Sequence, residues 1–400
     1  MTIADHERAY LDHAATTVLR PVARDAFLEA SLVRGNPSSV HSSGRRARAV
    51  LDDSLARIAE LLGVPRSWLI MTSGGTEADN LALRAVPLGR REKDPARRVV
   101  AVAATDHPAV LATARSLAGA GTSDGTGFEV RELPVDGAGA LVRSGVVDAL
   151  ADGTVGVISA ALVNNETGAV QDIAALAELA RAHGTLVHTD AVQGAGHVPL
   201  PDWRHVDLMS LSGHKVGAPV GVGVLVARPE VPFASLSTGG GQQRGVRSGT
   251  LDAAHTAAFA AALGEALAER EEQSVRLGAL AARLRAGLRE IDPEVRFTLE
   301  EGAPRAPHIV HVVFPGADPD SLLFLLDERG VDSSAGSACS AGVTQASPVL
   351  AAMGIPDAQA RGALRLSLGW TSTDRDVDIL LAALPESLAR ARAVGALMRG

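Results

Sequence analysis

The chain holds a single cysteine, Cys339, in 400 residues, and only two lysines, Lys93 and Lys215, among 38 basic residues. One cysteine excludes an intrachain disulfide and any cysteine cluster for zinc or iron. An excess of basic charge is also missing: the net charge of −8 argues against nucleic acid or an anionic membrane as the main partner. No apolar run reaches the length of a membrane span. The start, Met1-Thr-Ile-Ala-Asp-His-Glu-Arg, is too polar for a signal peptide. Together these absences predict a soluble, cytoplasmic protein with no resident metal. The scarcity of lysine against abundant Ala, Arg and Gly is a compositional bias, and it makes the two survivors telling.

The composition is that of a globular protein, 46% hydrophobic and 21% charged. The length is too great for one ordinary core and implies two lobes. Tyr10–Thr17 reads as a short strand and turn, and Pro21 opens a helix to about Val33. Leu51, Leu55, Ile58 and Leu62 step by four, three and four along a helix from Gly44 that Gly63 and Pro65 close. Trp68–Ser73 reads as a strand, and Gly74-Gly-Thr-Glu77 starts a helix. Strand-like runs then follow at Arg98–Ala104, Phe128–Leu133, Val155–Leu162, Leu186–Thr189, Val206–Leu211 and Gly221–Ala227. Helix-like runs at Pro108–Leu117, Leu141–Leu150 and Asp172–His183 separate several of them. Such alternation predicts a largely parallel sheet covered on both faces. A helical stretch from Ala253 to Ile291, interrupted near Gly278, bridges to a smaller lobe with strands near Ile309–Phe314 and Ala363–Leu368. The amino-terminal strand is expected to pack with that lobe.

Ligands of open α/β sheets gather at the carboxyl ends of the strands, and the chemistry-bearing residues fall there. Ser73-Gly-Gly-Thr76 offers free backbone N–H groups and a helix dipole to a phosphate, or is simply a tight turn. Asp190, in His188-Thr-Asp-Ala-Val-Gln193, needs a cationic partner if buried; an ordinary helix-capping aspartate is the plainer reading. Gln193 carries amide donors, His107 could stack on a flat ligand, and Asn164-Asn165-Glu166 lies at another strand end. Lys93 sits in a charged, solvated run. Lys215 sits among small residues after an apolar strand, where it is either a snorkelling surface lysine or a desolvated ammonium, costly unless it is used, for example as an imine with a carbonyl cofactor. Cys339, in Ser333-Ser-Ala-Gly-Ser-Ala-Cys-Ser-Ala-Gly342, has no large apolar neighbour in sequence. A lone cysteine is commonly a small buried hydrophobe, but this composition favours an exposed, reactive thiol.

Ten stretches, in order, carry a family resemblance. They are Tyr10-Leu-Asp-His-Ala-Ala-Thr-Thr, Gly35-Asn-Pro-Ser-Ser, Thr72-Ser-Gly-Gly-Thr-Glu-Ala-Asp-Asn, Asp106-His-Pro-Ala-Val-Leu, Val163-Asn-Asn-Glu-Thr-Gly, His188-Thr-Asp-Ala-Val-Gln, Leu211-Ser-Gly-His-Lys, Arg247-Ser-Gly-Thr, Gly336-Ser-Ala-Cys and Leu364-Arg-Leu-Ser-Leu-Gly. The chain resembles the pyridoxal-phosphate-dependent cysteine desulfurases of the NifS/IscS group, within the class V aminotransferases, and looks closest to actinobacterial members. The resemblance implies an α/β chain of fold type I: a large cofactor domain over residues 16–260 with a mainly parallel sheet, and a smaller α+β domain from residues 1–15 and 261–400. It implies that Lys215 holds pyridoxal 5'-phosphate covalently and moves protons. Asp190 would pair with the ring nitrogen, Gln193 with the phenolic oxygen, and His107 would stack on the ring and take part in catalysis. Gly75, Thr76, Ser212, Gly213 and His214 would hold the phosphate, with Thr250 reaching across from a second subunit of a homodimer. Asn165 would line the cofactor and, with Arg365 and Asn36, grip the substrate carboxylate. Cys339 would attack the sulfur of L-cysteine, releasing alanine and keeping a persulfide for an acceptor protein in iron–sulfur assembly or tRNA thiolation. The same thiol could transiently share a cluster with a scaffold.

Two departures stand out. Relatives usually carry an aromatic and a Pro-Lys pair after the cofactor lysine, where this chain has Val216-Gly-Ala-Pro-Val-Gly. The segment before Cys339 is also one residue longer than expected. Either could alter acceptor choice or the packing of the cofactor loop. The competing readings are a selenocysteine lyase or another class V aminotransferase-like enzyme, and a sulfur-relay scaffold without catalysis, which has no need for Lys215, Asp190, His107 and Cys339. A nicotinamide dehydrogenase would need a Gly-x-Gly-x-x-Gly after an early strand, and none is there.

Overall fold

The computed structural model describes residues 8–119, 127–336 and 347–398. Its strands are β1 (Ala9–Tyr10), β2 (Leu69–Thr72), β3 (Val99–Ala103), β4 (Glu129–Leu133), β5 (Val155–Ser159), β6 (Leu186–Asp190), β7 (Leu208–Ser212), β8 (Gly223–Ala227), β9 (Arg296–Phe297), β10 (Ile309–Val313), β11 (Val331–Asp332) and β12 (Ala363–Ser367). Seven of them form one sheet in the order β2-β8-β7-β6-β5-β3-β4. The pairs β3–β4, β3–β5, β5–β6 and β6–β7 are parallel, as the alternating strands and helices predict. β8 runs antiparallel to both β2 and β7. The cause is the connection: only residues 213–222 separate β7 from β8, too few for the crossover a parallel neighbour requires.

Strand side chains alternate between two cores. Val99, Ala101 and Ala103 of β3 face one apolar layer, and Val100 and Val102 face the other. Both faces are covered, so β3, β5, β7 and β8 are buried along their whole length. At one end of the sheet β4 reads Glu-Val-Arg-Glu-Leu, with charge toward solvent, which protects a free edge from pairing with another chain.

The helix Ser42–Leu62 starts two residues before the expected Gly44, because His41 Nδ1 accepts the Gly44 N–H at 3.2 Å and caps it. The bridging helix differs more. Ala253–Ile291 is one uninterrupted helix of 39 residues, not two segments broken near Gly278. A glycine weakens a helix without breaking it, by about 1 kcal/mol relative to alanine. Its neighbours Leu277, Leu280, Ala281, Leu284 and Leu288 are all buried and hold the turn in place. The helix changes core along its length. Phe259, Leu263 and Ala266 pack in the large lobe, and Leu277 to Leu288 pack in the small one.

The small lobe contains the antiparallel sheet β12-β10-β9 and the helices Pro319–Glu328 and Asp374–Leu397, which the sequence reading leaves unassigned. β1 pairs with β11 in parallel, and Ala9 and Leu11 join the small-lobe core. The amino-terminal strand therefore packs with that lobe, as expected. Among the described residues no helix is long and apolar enough to cross a membrane.

The continuity of the bridge is testable at Gly278. A Cβ built there meets nothing within 4 Å. Gly278→Ala should therefore raise the unfolding free energy by about 0.5–1 kcal/mol, read by urea denaturation. A helix broken at this position would gain nothing.

Candidate active site

The carboxyl ends of β2, β3, β5, β6 and β7 converge, and each delivers one part of a site. β2 ends at Thr72, and the chain runs through Ser73-Gly74 into a helix that starts at Gly75. The N–H groups of its first turn have no intrahelical acceptor. Gly74 has φ of +156°, which favours glycine, and a Cβ on Gly223 of β8 would stand 2.7 Å from the Gly74 backbone, so a glycine at 223 lets these two chain segments approach this closely. Glu77 anchors the turn: its Oε2 accepts the Ser73 N–H at 2.5 Å and its Oε1 accepts from Arg247 Nε at 3.0 Å. Burial pushes this carboxyl up, but the Ser73 and Arg247 bonds outweigh it and hold it below the usual range. Glu77 thus ties the Arg247-Ser-Gly-Thr250 segment to the glycine turn.

Lys215 occupies the short connection after β7, on a tight turn over Gly213–Lys215. Its Nζ donates to the carbonyls of Ala14 at 2.5 Å and Ala15 at 2.7 Å. Burial, then the nearby Arg365, lowers its pKa to about 8, against the opposing pull of Asp12 and Asp190. The unusual segment after Lys215 has its own support. Arg20 donates from Nε to the Val216 carbonyl at 3.1 Å, pairs with Glu265 and Glu269 of the bridging helix at 2.7 and 3.0 Å, and lies over Trp370. Gly217 has φ of +90°, and a Cβ there would meet Arg20 Cγ at 2.6 Å. A buried guanidinium and a glycine lock the loop where relatives are expected to use an aromatic residue.

Asp190 ends β6, buried, with Oδ1 accepting the Val192 N–H at 2.9 Å. Burial raises its pKa, and the Val192 bond, His107 and Lys215 pull against it. His107 follows β3; its Nδ1 accepts the Ala109 N–H at 3.1 Å. Burial and Lys215 lower its pKa against the field of Asp190, which keeps the ring neutral. Beneath them lies a buried polar layer. His188, two residues before Asp190 on the same face of β6, bonds Ser159 Oγ at 2.9 Å and Ser210 Oγ at 3.0 Å. Burial drops its pKa to about 3. Burial likewise pushes the Asp79 and Asp106 carboxyls well above the usual range, with the charge of Asp190 adding to both.

Arg365 comes from β12 of the small lobe. It donates from Nη1 to the Asn165 carbonyl at 2.9 Å and from Nη2 to Asp12 Oδ1 at 2.7 Å. Asn164 folds the turn that presents Asn165: its Oδ1 accepts the N–H groups of Glu166 and Thr167 at 3.0 and 2.8 Å. Glu166 is buried and accepts from Ser347 Oγ at 2.5 Å, and a Cβ on Gly336 would lie 3.5 Å from its Oε2. Gly336 and Ser347 border the segment that contains Cys339, which itself lies outside the described residues.

The structure therefore brings Lys215, Asp190, His107, Arg365 and Asn165 into one electrostatic neighbourhood, beside Gly75, Ser212, Gly213 and His214 at the strand ends. Thr76 is exposed on the first turn of its helix. His214 Nδ1 bonds Thr16 Oγ1 at 3.2 Å, and burial and Lys215 lower its pKa to about 4. Gln193 uses one amide hydrogen on the Ala14 carbonyl at 2.7 Å, leaving the other for a ligand. Two expected residues, Asn36 and the Thr250 expected to serve a second subunit, make no hydrogen bond with these groups among the described residues. Asn36 is exposed and accepts the Ser38 N–H at 2.8 Å in a local turn. Thr250 is exposed in the glycine-rich loop. Asp12, Glu77 and Arg20 join the site only through the fold, although Asp12 and Glu77 lie inside the Tyr10–Thr17 and Thr72–Asn80 stretches.

These groups fit pyridoxal phosphate. Helix N–H groups and a glycine turn suit its phosphate, a buried carboxylate whose charge needs a cation suits its ring nitrogen, and a desolvated lysine suits its aldehyde. Residues 9–380 match the family model described as aminotransferase class-V. An "IscS-like cysteine desulfurase" of Mycobacterium tuberculosis is 42% identical over 387 residues, covering 96% of this chain and 97% of the relative. A "cysteine desulfurase" of Cereibacter sphaeroides is 39% identical, covering 97% of each. A solved "NifS-like protein" superposes with a TM-score of 0.86 at 30% identity, over 96% of this chain and all of the other. With the strand-end lysine, aspartate and histidine in place, the chain belongs to the class-V aminotransferase family, as a cysteine desulfurase of the NifS/IscS type and of fold type I.

Proposed function

We propose that the protein converts L-cysteine to L-alanine with pyridoxal phosphate and stores the sulfur as a persulfide on Cys339. The observation that carries this reading is the desolvated Lys215 beside Asp190 and His107 at the strand ends. When bound, the cofactor supplies a protonated ring that draws electrons from the substrate's α-carbon. Asp190 holds the proton at the ring nitrogen, and the cation in turn stabilises a carboxylate that burial alone disfavours. Neutral His107 covers the ring face without adding a charge that would compete with that nitrogen. Gln193 donates its second amide hydrogen to the phenolic oxygen. Gly75, Thr76, Ser212, Gly213 and His214 hold the phosphate, joined by Thr250 from a second copy of the chain in a homodimer.

Arg365 and Asn165 bind the substrate carboxylate, with Asn36 contributing if its loop moves inward. Lys215, with its pKa near 8, releases and takes up protons at the substrate carbon near neutral pH. The Cys339 thiolate then attacks the substrate sulfur. A sulfur–sulfur bond forms, the carbon–sulfur bond breaks, its electron pair takes a proton at carbon, and alanine leaves. The persulfide passes to an acceptor protein in iron–sulfur assembly or tRNA thiolation.

Loaded protein incubated with L-cysteine and a thiol reductant should release alanine. Cys339→Ser should abolish persulfide labelling and turnover, and Lys215→Ala should lower the rate by at least about 1,000-fold. No alanine from fully loaded wild-type protein would sink the assignment.

A second test concerns the lysine alone. Lowering its pKa makes the amine neutral at a lower pH: at pH 8 about half of Lys215 is neutral, against about 0.3% of an ordinary lysine. Reductive methylation of cofactor-free protein, followed at Lys215 by mass spectrometry, should therefore rise with a midpoint near pH 8. A midpoint near 10 would show that the site does not desolvate the amine.

A further inference from the structure

We propose that Asp12 is a positioning residue for recognition of the substrate's carboxylate, acting by holding the Arg365 guanidinium in its binding orientation. The inference rests on the assignment of Arg365 to that carboxylate. A guanidinium is a rigid, planar fork, and two fixed hydrogen bonds define its plane. Here one bond goes to the Asn165 carbonyl at 2.9 Å and the other to Asp12 Oδ1 at 2.7 Å. They come from separate parts of the chain, the loop after β5 and the segment after β1, while Arg365 itself stands on β12. Both spend terminal nitrogens. Nε is buried and has no hydrogen-bond partner among the described residues, and each terminal nitrogen keeps a second N–H that these two bonds do not use.

Asp12 is the one carboxylate within 4 Å of Arg365 among the described residues. It also lies close enough to Lys215 to raise that lysine's pKa, where Arg365 lowers it. A single carboxylate thus stands between two cations that would otherwise repel each other in a largely buried site. Its position follows from the backbone: Asp12 forms a bridge with Ser367, two residues beyond Arg365 on β12. The next turn of the same segment supplies the Ala14 and Ala15 carbonyls that hold Lys215. A resident carboxylate also opposes an incoming one. For Asp12 to aid binding, fixing the guanidinium must outweigh that opposition.

The test is binding without turnover, read from the absorbance of the pyridoxal-phosphate-loaded protein. L-alanine is the probe, and ethylamine, the same amine without a carboxylate, is the control. Asp12→Ala should weaken L-alanine about tenfold and change ethylamine less than twofold. Asp12→Asn, which keeps the shape and loses the charge, should weaken L-alanine at least threefold, and it carries the test if the alanine variant does not fold. In an Arg365→Gln background either change should add less than twofold. The proposal is overturned by a loss below threefold in Asp12→Ala, by tighter L-alanine binding, by equal losses for both probes, or by full additivity with Arg365→Gln. Should Arg365→Gln alone leave L-alanine binding unchanged, the assignment of Arg365 falls first and takes this one with it.

Discussion

The site depends on one contact, the Lys215 ammonium against the carbonyls of Ala14 and Ala15. Those carbonyls belong to the segment after β1, whose strand packs in the small lobe, whereas Lys215 belongs to the large sheet. The contact therefore ties the Lys215 amine to the junction of the lobes. It also explains how a lysine can be largely buried without an ion pair among the described residues. Two carbonyl dipoles satisfy the ammonium when it is charged, and its neutral form is accessible because burial and Arg365 disfavour the charge. The Gln193 amide shares the Ala14 carbonyl, so the amine, the amide and the amino-terminal turn form one connected unit.

The sheet topology serves the same end. Parallel strands place their carboxyl ends side by side, which sets Asp190, Asn165, His107 and the Gly74-Gly75 turn around one centre. The antiparallel β8 is the exception that makes room for Lys215. Because β7 and β8 are joined by a short connection, the lysine sits directly at the sheet edge of the site, not on a distant crossover helix. Arg20 then binds that connection to the bridging helix through Glu265 and Glu269. The departure from the usual residues after Lys215 is accommodated by this buried arginine, which spans three elements.

Much of the site was legible because its residues lie immediately after strands. Asp190, His107 and Lys215 each follow an apolar run, and strand ends are where an α/β sheet collects ligands. Asp12 was not legible as a site residue. Its partner Arg365 is 353 residues away, and nothing local distinguishes it from an aspartate in a turn. Glu77 and Arg20 failed to stand out for the same reason, since charged residues next to glycines or prolines are ordinary in loops. Gln193 was read for its donors alone; only the fold places the Ala14 carbonyl against one of them. The interruption expected at Gly278 came from reading propensity locally. The buried leucines on either side, set against the small-lobe sheet, override it.

By itself the sequence determined the alternation of strands and helices, the covered parallel sheet and the identity of the chemical groups, because these follow from local periodicity and from residue type. Tertiary structure alone decided the antiparallel β8, the unbroken bridge between the lobes, the low pKa of Lys215 and the pairing of Asp12 with Arg365. Each of those depends on desolvation or on contact between segments far apart in the chain. Hydrogen bonds between distant segments, and how deeply one polar side chain is buried, have no signature in a one-dimensional pattern, and they set the environment of Lys215, Asp190 and Arg365.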